Sequence, residues 1–165
     1  MEFELGPQPT LTQVSEPWQF GVDQDAHQLA SQMIDFMVKQ QGIGLATNQI
    51  GIAKRVFVMG TDLIPGFPQP FAVFNPKILE HSEQEYLENE ACLSYPNLVL
   101  KIKRPEWIVC EYQDADGVVH EARMDGYVAR CFQHEVDHLN GVCFVDRVSK
   151  LKLEMAMKKL RKKSR

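Results

Sequence analysis

Two histidines four residues apart, with a glutamate directly after the first, stand at His134, Glu135 and His138 in the stretch HEVDH. In a helix, residues four apart lie on one face, one turn above the other. Both imidazoles can then reach one ion. Glu135 stands beside the first ligand, where its carboxylate can take a proton from a metal-bound water. This is the H-E-x-x-H arrangement of metal-assisted hydrolysis. The plainer alternative is a solvated helix with two unrelated histidines. With only five His in 165 residues, a chance pair at this spacing with Glu second is uncommon.

Such a site needs a third protein ligand and an open position for water. The metzincin pattern H-E-x-x-H-x-x-G-x-x-H is matched at Gly141 but not at Phe144, where its third His would stand. A thermolysin-like protease would draw a glutamate from a later helix. Glu154 is the one carboxylate after Asp146, and it lies in a short terminal tail. Cysteine is the remaining ligand type, and Cys, His and His together suit zinc or ferrous iron.

Length and composition set the frame. A chain of 165 residues, 44% apolar and 24% charged, fits one globular domain, residues 1–165, with a real core. No apolar run approaches membrane-spanning length. There is no Lys or Arg before Lys39, which removes the basic segment of a signal peptide and the Arg-rich face of a transit peptide. The four cysteines, Cys92, Cys110, Cys131 and Cys143, form no C-x-x-C pair. Free thiols in a cytoplasmic protein are expected, three of them as small core residues.

The hydrophobic pattern places the elements. Residues 1–22 read as irregular chain. From Asp25 to Gln40, the positions Ala26, Leu29, Ala30, Met33, Ile34 and Met37 make one helical stripe, capped by Asp23 or Asp25 and ended by Gly42. Strand-like runs follow: RVFVM, FAVFNP, LVLKIK, and EWIVCEYQ turning at Asp116-Gly117 into VVHEARM. Thr61 to Pro70 reads as a proline-rich loop. Asp125 is placed to cap the metal helix, which stops at Asn140-Gly141. The tail from Arg147 reads as helical. The expected class is α+β: mostly antiparallel β-sheets around a central metal-binding helix, with an N-terminal and a C-terminal helix.

Two other stretches bear on the site. GIGLATNQIG, Gly42 to Gly51, has glycines suited to close approach to a ligand. It lacks the endings of a phosphate loop or a dinucleotide fingerprint. ENEACLSYP puts Cys92 on extended or loop chain, a suitable platform for a third ligand. Taken together, the three stretches resemble peptide deformylase, whose motifs run G-x-G-L-A-A-x-Q, E-G-C-L-S and H-E-x-x-H in that order. Here they read G-I-G-L-A-T-N-Q at Gly42 to Gln49, E-A-C-L-S at Glu90 to Ser94, and H-E-V-D-H at His134 to His138. Thr47 and Ala91 depart from the pattern. A glycine before the cysteine would allow a backbone shape that alanine resists. Activity is expected to survive both changes, with altered efficiency.

The resemblance implies that Cys92, His134 and His138 bind one divalent ion. Ferrous iron is the family's metal in cells, with zinc, nickel or cobalt accepted. It implies Glu135 as general base and then acid. Gln49 and the backbone N–H of Leu93 would donate to the developing oxyanion, and the backbone of Gly44 would help hold the peptide. The implied substrate is the N-formylmethionine of newly made proteins, and the implied product is formate. The methionine side chain would sit in an apolar pocket of the metal helix and the first motif, here Ile43, Tyr127 and Cys131. Arg130 lies on the flank, either as an exposed helix charge or as a substrate contact. Two rival functions remain at this point: a catalytically inactive, metal-stabilised binding module, and a hydrolase of another small amide.

The tail carries a separate signal. Residues 147–165 hold nine Lys or Arg and one acid, a net of +8, while the rest holds nine basic and 21 acidic residues, a net of −12. Such asymmetry points to an acidic partner. Two readings stand side by side: docking on the ribosome, where a deformylase meets its substrate, and a solvated basic end that frays; no membrane and no DNA partner is expected. On a helical wheel Val148, Leu151 and Met155 form one apolar patch, and Leu153, Met157 and Leu160 form another. One is expected to pack on the domain.

Overall fold

The computed structural model describes residues 1–6, 8–62, 64 and 66–163, with Lys163 as backbone only. Parts of the loop expected between Thr61 and Pro70, and the last two residues of the basic tail, lie outside the described residues. Helix α1 spans Ala26–Lys39. The strands are β1 Gly44–Ala46, β2 Val56–Met59, β3 Phe71–His81, β4 Glu85–Cys92, β5 Tyr95–Pro105, β6 Trp107–Gln113 and β7 Val119–Asp125. Helices α2, Gly126–Leu139, and α3, Lys150–Lys163, complete the order. One sheet runs β1-β2-β3-β6-β7, a second pairs β4 with β5, and every strand pairing between them is antiparallel. The α+β class read from the sequence is the class observed.

Helix α1 begins as its sequence asks, with the Asp25 carboxylate accepting the Gln28 N–H at 2.8 Å. Its end differs from expectation. Gln41, not Gly42, takes the left-handed conformation, with φ +57. The Gly42 N–H then reaches the Met37 carbonyl at 3.0 Å. Gly42 is small for another reason: a Cβ there would lie 2.8 Å from the Leu93 Cδ1.

Strand β3 also runs further than the FAVFNP segment indicated. Its register shifts between Phe74 and Lys77, and that irregularity absorbs Pro76. Asn75, at φ +49, uses the bend to clamp the N-terminal segment. Its Oδ1 accepts from the Trp18 N–H at 2.7 Å, and its Nδ2 donates to the Trp18 carbonyl at 3.0 Å.

The core forms in layers. All four residues of β2 are buried. Phe57 and Met59 face α2, in a cluster with Ile108 and Phe132, while Val56 and Val58 face α1, among Leu29, Met33 and Met37. A strand covered on both faces reads as a continuous apolar run, which is how VFVM reads. The Phe57 and Phe132 rings meet edge-on, 5.1 Å apart. Burying one such side chain is worth about 1.5–3 kcal/mol. A third cluster joins Leu98, Leu100, Ile102 and Phe144 to Leu153, Met157 and Leu160 of α3. Leu151 and Met155 stay exposed, at 67% and 66%. Val148 packs inward with the opposite patch from the one its wheel position suggested.

Helix α2 is enclosed beyond its first turn: Ala129 to Leu139 are all buried. Asp125 occupies the N-cap position, but its side chain makes no cap bond and accepts instead from Arg123 at 3.2 Å. The helix ends where expected. Gly141, at φ +72, closes it, and the Val142 N–H returns to the Asp137 carbonyl at 2.9 Å. A Cβ on Gly141 would stand 2.6 Å from the Thr12 carbonyl oxygen.

Candidate metal centre

An enclosed stretch of helix cannot leave its polar side chains unpaired without a cost of several kcal/mol. Arg130, Gln133, His134, Glu135, Asp137 and His138 all lie on the buried part of α2, so each needs a partner or a task. His134 and His138 meet Cys92, which sits at the end of β4 where the register with β5 shifts. The ligating atoms of the three residues all lie within 4.8 Å of one another, and the Cys92 Sγ is 3.3 Å from the His138 Nε2. Ligands at bond lengths of about 2.0–2.3 Å around a tetrahedral ion stand roughly 3.3–3.8 Å apart. The donor set therefore fits a divalent cation of the zinc or ferrous type.

The surroundings prepare these donors. The His134 Nδ1 is paired with the Glu90 Oε2 at 3.0 Å, which leaves the other ring nitrogen for an ion. Burial alone would push His134 down, but hydrogen bonds with Cys92 and Glu90 outweigh it and hold the imidazole up at about 10. A cation between the Cys92 sulfur and the ring would displace that proton. Burial drives His138 well below its ordinary range, which leaves its imidazole neutral, the form that can donate to an ion.

Glu90 is the hub behind the site. Its carboxylate accepts from Arg104 Nε at 2.6 Å and Nη2 at 2.9 Å, and from Arg130 Nη1 at 2.6 Å. Burial raises its pKa, but the His134 and Arg104 hydrogen bonds prevail and hold it well below the carboxylate range. Arg104 also donates to Asp137 at 2.7 Å, and Asp137 accepts from Arg147. The pairing runs from a metal-site imidazole to the start of the basic tail. Arg130 is not an exposed charge, and it lines the cavity that opens on the centre. It is 3% exposed, lies over the Tyr86 ring, and donates to Glu90, the Ile102 carbonyl and the Tyr86 carbonyl.

A cavity of about 600 Å³ opens on the centre. Ile43, Gly44, Gln49, Leu93, Tyr127 and Cys131 line it together with Cys92, His134 and Glu135. Gln49 is fixed at both ends. Its Oε1 accepts from the Ala46 N–H at 2.9 Å, and its Nε2 donates to the Ser94 Oγ at 3.1 Å and faces the Cys92 Sγ at 3.5 Å. The Glu135 Oε2 is buried with no hydrogen-bond partner. Burial pushes that carboxyl up to about 7, against the pull of His134 and Arg104.

The same site accounts for the two departures from the motifs. Ala91 lies in β4 paired with Val99, outside the positive-φ region, so no glycine-only shape is needed there. The Thr47 hydroxyl lies against the carbonyls of Lys54 and Val56, the latter at 2.9 Å, and ties the first motif to the start of β2.

A sequence model of the family described as polypeptide deformylase matches residues 2–154. The chain belongs to the peptide deformylase family. Among its relatives, the peptide deformylase of Rhizobium meliloti is 40% identical, covering 94% of this chain and 89% of its own. That of Mesorhizobium japonicum is 42% identical, covering 94% and 88%. The crystal structure of the Ehrlichia chaffeensis peptide deformylase in complex with actinonin superposes with a TM-score of 0.87 at 37% identity, covering 100% of this chain and 98% of that one. Members of this family are metal-dependent enzymes that remove the N-formyl group from nascent peptides, and this chain is one of them. Among the described residues, no helix is long and apolar enough to cross a membrane.

Sequence reasoning named Cys92, His134, His138, Glu135 and Gln49; the structure puts four of them on the wall of one cavity and His138 beside Cys92 and His134. It gave no role to Glu90, Arg104, Asp137 or Ser94. A signal for Arg104 existed: it follows Leu98, Leu100 and Ile102 on the inward face of β5, where a charge needs a partner.

Proposed function

We propose that Cys92, His134 and His138 hold one divalent ion, ferrous iron in the cell with zinc, nickel or cobalt as substitutes, and that Glu135 carries the proton in deformylation. The supporting observation is the meeting of three donor atoms within 4.8 Å in the cavity where the buried Glu135 oxygen has no partner. When bound, the ion would activate a water and polarise the formyl carbonyl. Glu135, with a carboxyl near neutral pH, takes the proton of the attacking water and returns it to the departing methionine amine. The formyl C–N bond breaks and formate leaves. The side-chain amide of Gln49 and the backbone N–H of Leu93 donate to the oxygen on which charge develops. The bond from Ala46 keeps the Gln49 amide nitrogen aimed inward rather than its oxygen.

The backbone of Gly44 holds the peptide, and the methionine side chain lies against Ile43, Tyr127 and Cys131. The stem of Arg130 backs this wall while its guanidinium stays with Glu90. The enzyme works in the cytoplasm, and its basic tail docks on the ribosome. The test is metal analysis of anaerobically prepared protein together with formate release from a formyl-Met peptide. About one ion per chain with formate release is expected. Bound metal without formate release would leave the chain as a binding module, and release from simple formamides alone would make it a hydrolase of another small amide.

A further inference from the structure

The N-terminal segment read as irregular chain, yet it enters the cavity. Phe3 and Leu5 line it alongside Gly42 and Leu93. The segment is pinned at alternate residues: the Glu4 N–H donates to the Gln49 carbonyl at 2.8 Å and the Gly6 N–H to the Ser94 carbonyl at 2.9 Å. In extended chain, side chains two apart share a face. Phe3 and Leu5 are such a pair. Phe3 is anchored on α1 through the Phe36 ring, at 4.8 Å. Leu5 is 50% exposed and belongs to none of the three core clusters, so its apolar surface remains open to the cavity.

This strap and α2 line the cavity from different elements. Tyr127 and Cys131 come from α2, and the strap lies on the segments of Gln49 and Ser94. A methionine held against α2 must send the next residue of its peptide elsewhere in the cavity. We propose that Phe3 and Leu5 form the wall that selects an apolar side chain on the residue following the formylmethionine, an inference that rests on the deformylase reading of the site. The chemistry is apolar contact by two side chains held on a fixed backbone, a preorganised wall.

The test compares kcat/KM for formyl-Met-Leu and formyl-Met-Gly peptides in the full chain, in Leu5→Ala and in Phe3→Ala. Removing apolar contact from a pocket changes discrimination by roughly tenfold or more. The leucine-to-glycine ratio is therefore expected to fall by roughly that factor in each variant. In Leu5→Glu, the ratio for a formyl-Met-Lys over a formyl-Met-Leu peptide should rise, a gain that misfolding cannot produce. Unchanged ratios, or equal losses on every peptide, would overturn the proposal and leave the strap as a prop for Gln49. If the unmodified protein released formate from neither peptide, the deformylase reading itself would fall, and this proposal with it.

Discussion

Gly44 lies so close to Glu135 that a Cβ on the glycine would stand 2.2 Å from the carboxylate Oε1 and 3.0 Å from the Cys131 Sγ. The first motif and the metal helix meet at that contact. The backbone of β1 can pass the carboxylate only where no side chain intervenes.

Gly44→Ala should therefore act as a catalytic lesion delivered from another element. The methyl group would push Glu135 away from the cavity while leaving Cys92, His134 and His138 in place. We expect turnover to fall by about 10²–10⁴-fold, the usual worth of a general acid–base group, with metal content retained. Glu135→Gln should give a loss of the same order with metal retained. Formate release and metal content measured on both proteins check this. Near-normal turnover in the alanine variant would mean that Glu135 tolerates the displacement, and near-normal turnover in the glutamine variant would remove its role.

The four cysteines make an internal control for the metal site. Cys92→Ala should lose most of its metal, because a charged ligand is removed from a set of three. Cys110→Ala and Cys143→Ala should keep it. Both thiols are pushed up to about 11, chiefly by burial, as suits inert core residues. Cys131 sits one turn before His134 and packs by Gly44, with its Sγ directed to the Ile43 carbonyl at 3.4 Å. Equal metal loss in Cys131→Ala and Cys92→Ala would overturn the ligand assignment.

Glu90→Gln should cost both stability and metal. It leaves the buried guanidinium groups of Arg104 and Arg130 short of a counter-charge, a loss of about 3–5 kcal/mol. It also removes the charged partner of the His134 Nδ1, which typically weakens metal affinity by about 10–100-fold. The sign with pH follows from a depressed carboxyl. The contribution of Glu90 is complete above the ordinary carboxylate range and is lost only as pH falls through its lower folded value. Denaturant titrations should show the variant's deficit constant at neutral pH and shrinking in strong acid. A deficit that grew on acidification would contradict the ion-pair account.

The parts of the molecule that were legible in the sequence are those written in local pattern. The i, i+4 histidines, the stripe of α1 and the alternation of β5 each follow from a period within one element. The end of α1 was not legible because Gly42 is small for tertiary reasons, its neighbour being Leu93, 51 residues further on. The continuation of β3 past Pro76 was hidden because a bulge absorbs the proline. The burial of Arg130 was not legible because its partners, Glu90, Tyr86 and Ile102, come from strands far off in sequence. Wheel geometry could name two apolar patches on α3 but not the one facing β5.

The exposed face of α3 sharpens the test of the tail. Leu153, Met157 and Leu160 are packed on the β4–β5 sheet, so deleting the end of the helix would also cut into a core cluster. Charge reversal on the exposed side avoids that. Lys158, Lys159 and Lys162 are exposed, as are Leu151 and Met155. If the tail docks on ribosomal RNA, binding is dominated by phosphate contacts and weakens steeply with salt. Changing the three lysines together, Lys158→Glu, Lys159→Glu and Lys162→Glu, should abolish co-sedimentation with ribosomes at low salt. Hydrolysis of a short formyl-Met peptide should be unchanged, because none of the three lines the cavity. The unmodified chain should be released from ribosomes as salt is raised. Co-sedimentation that survives the triple change, or none by the unmodified chain at low salt, would leave the basic helix as a solvated end.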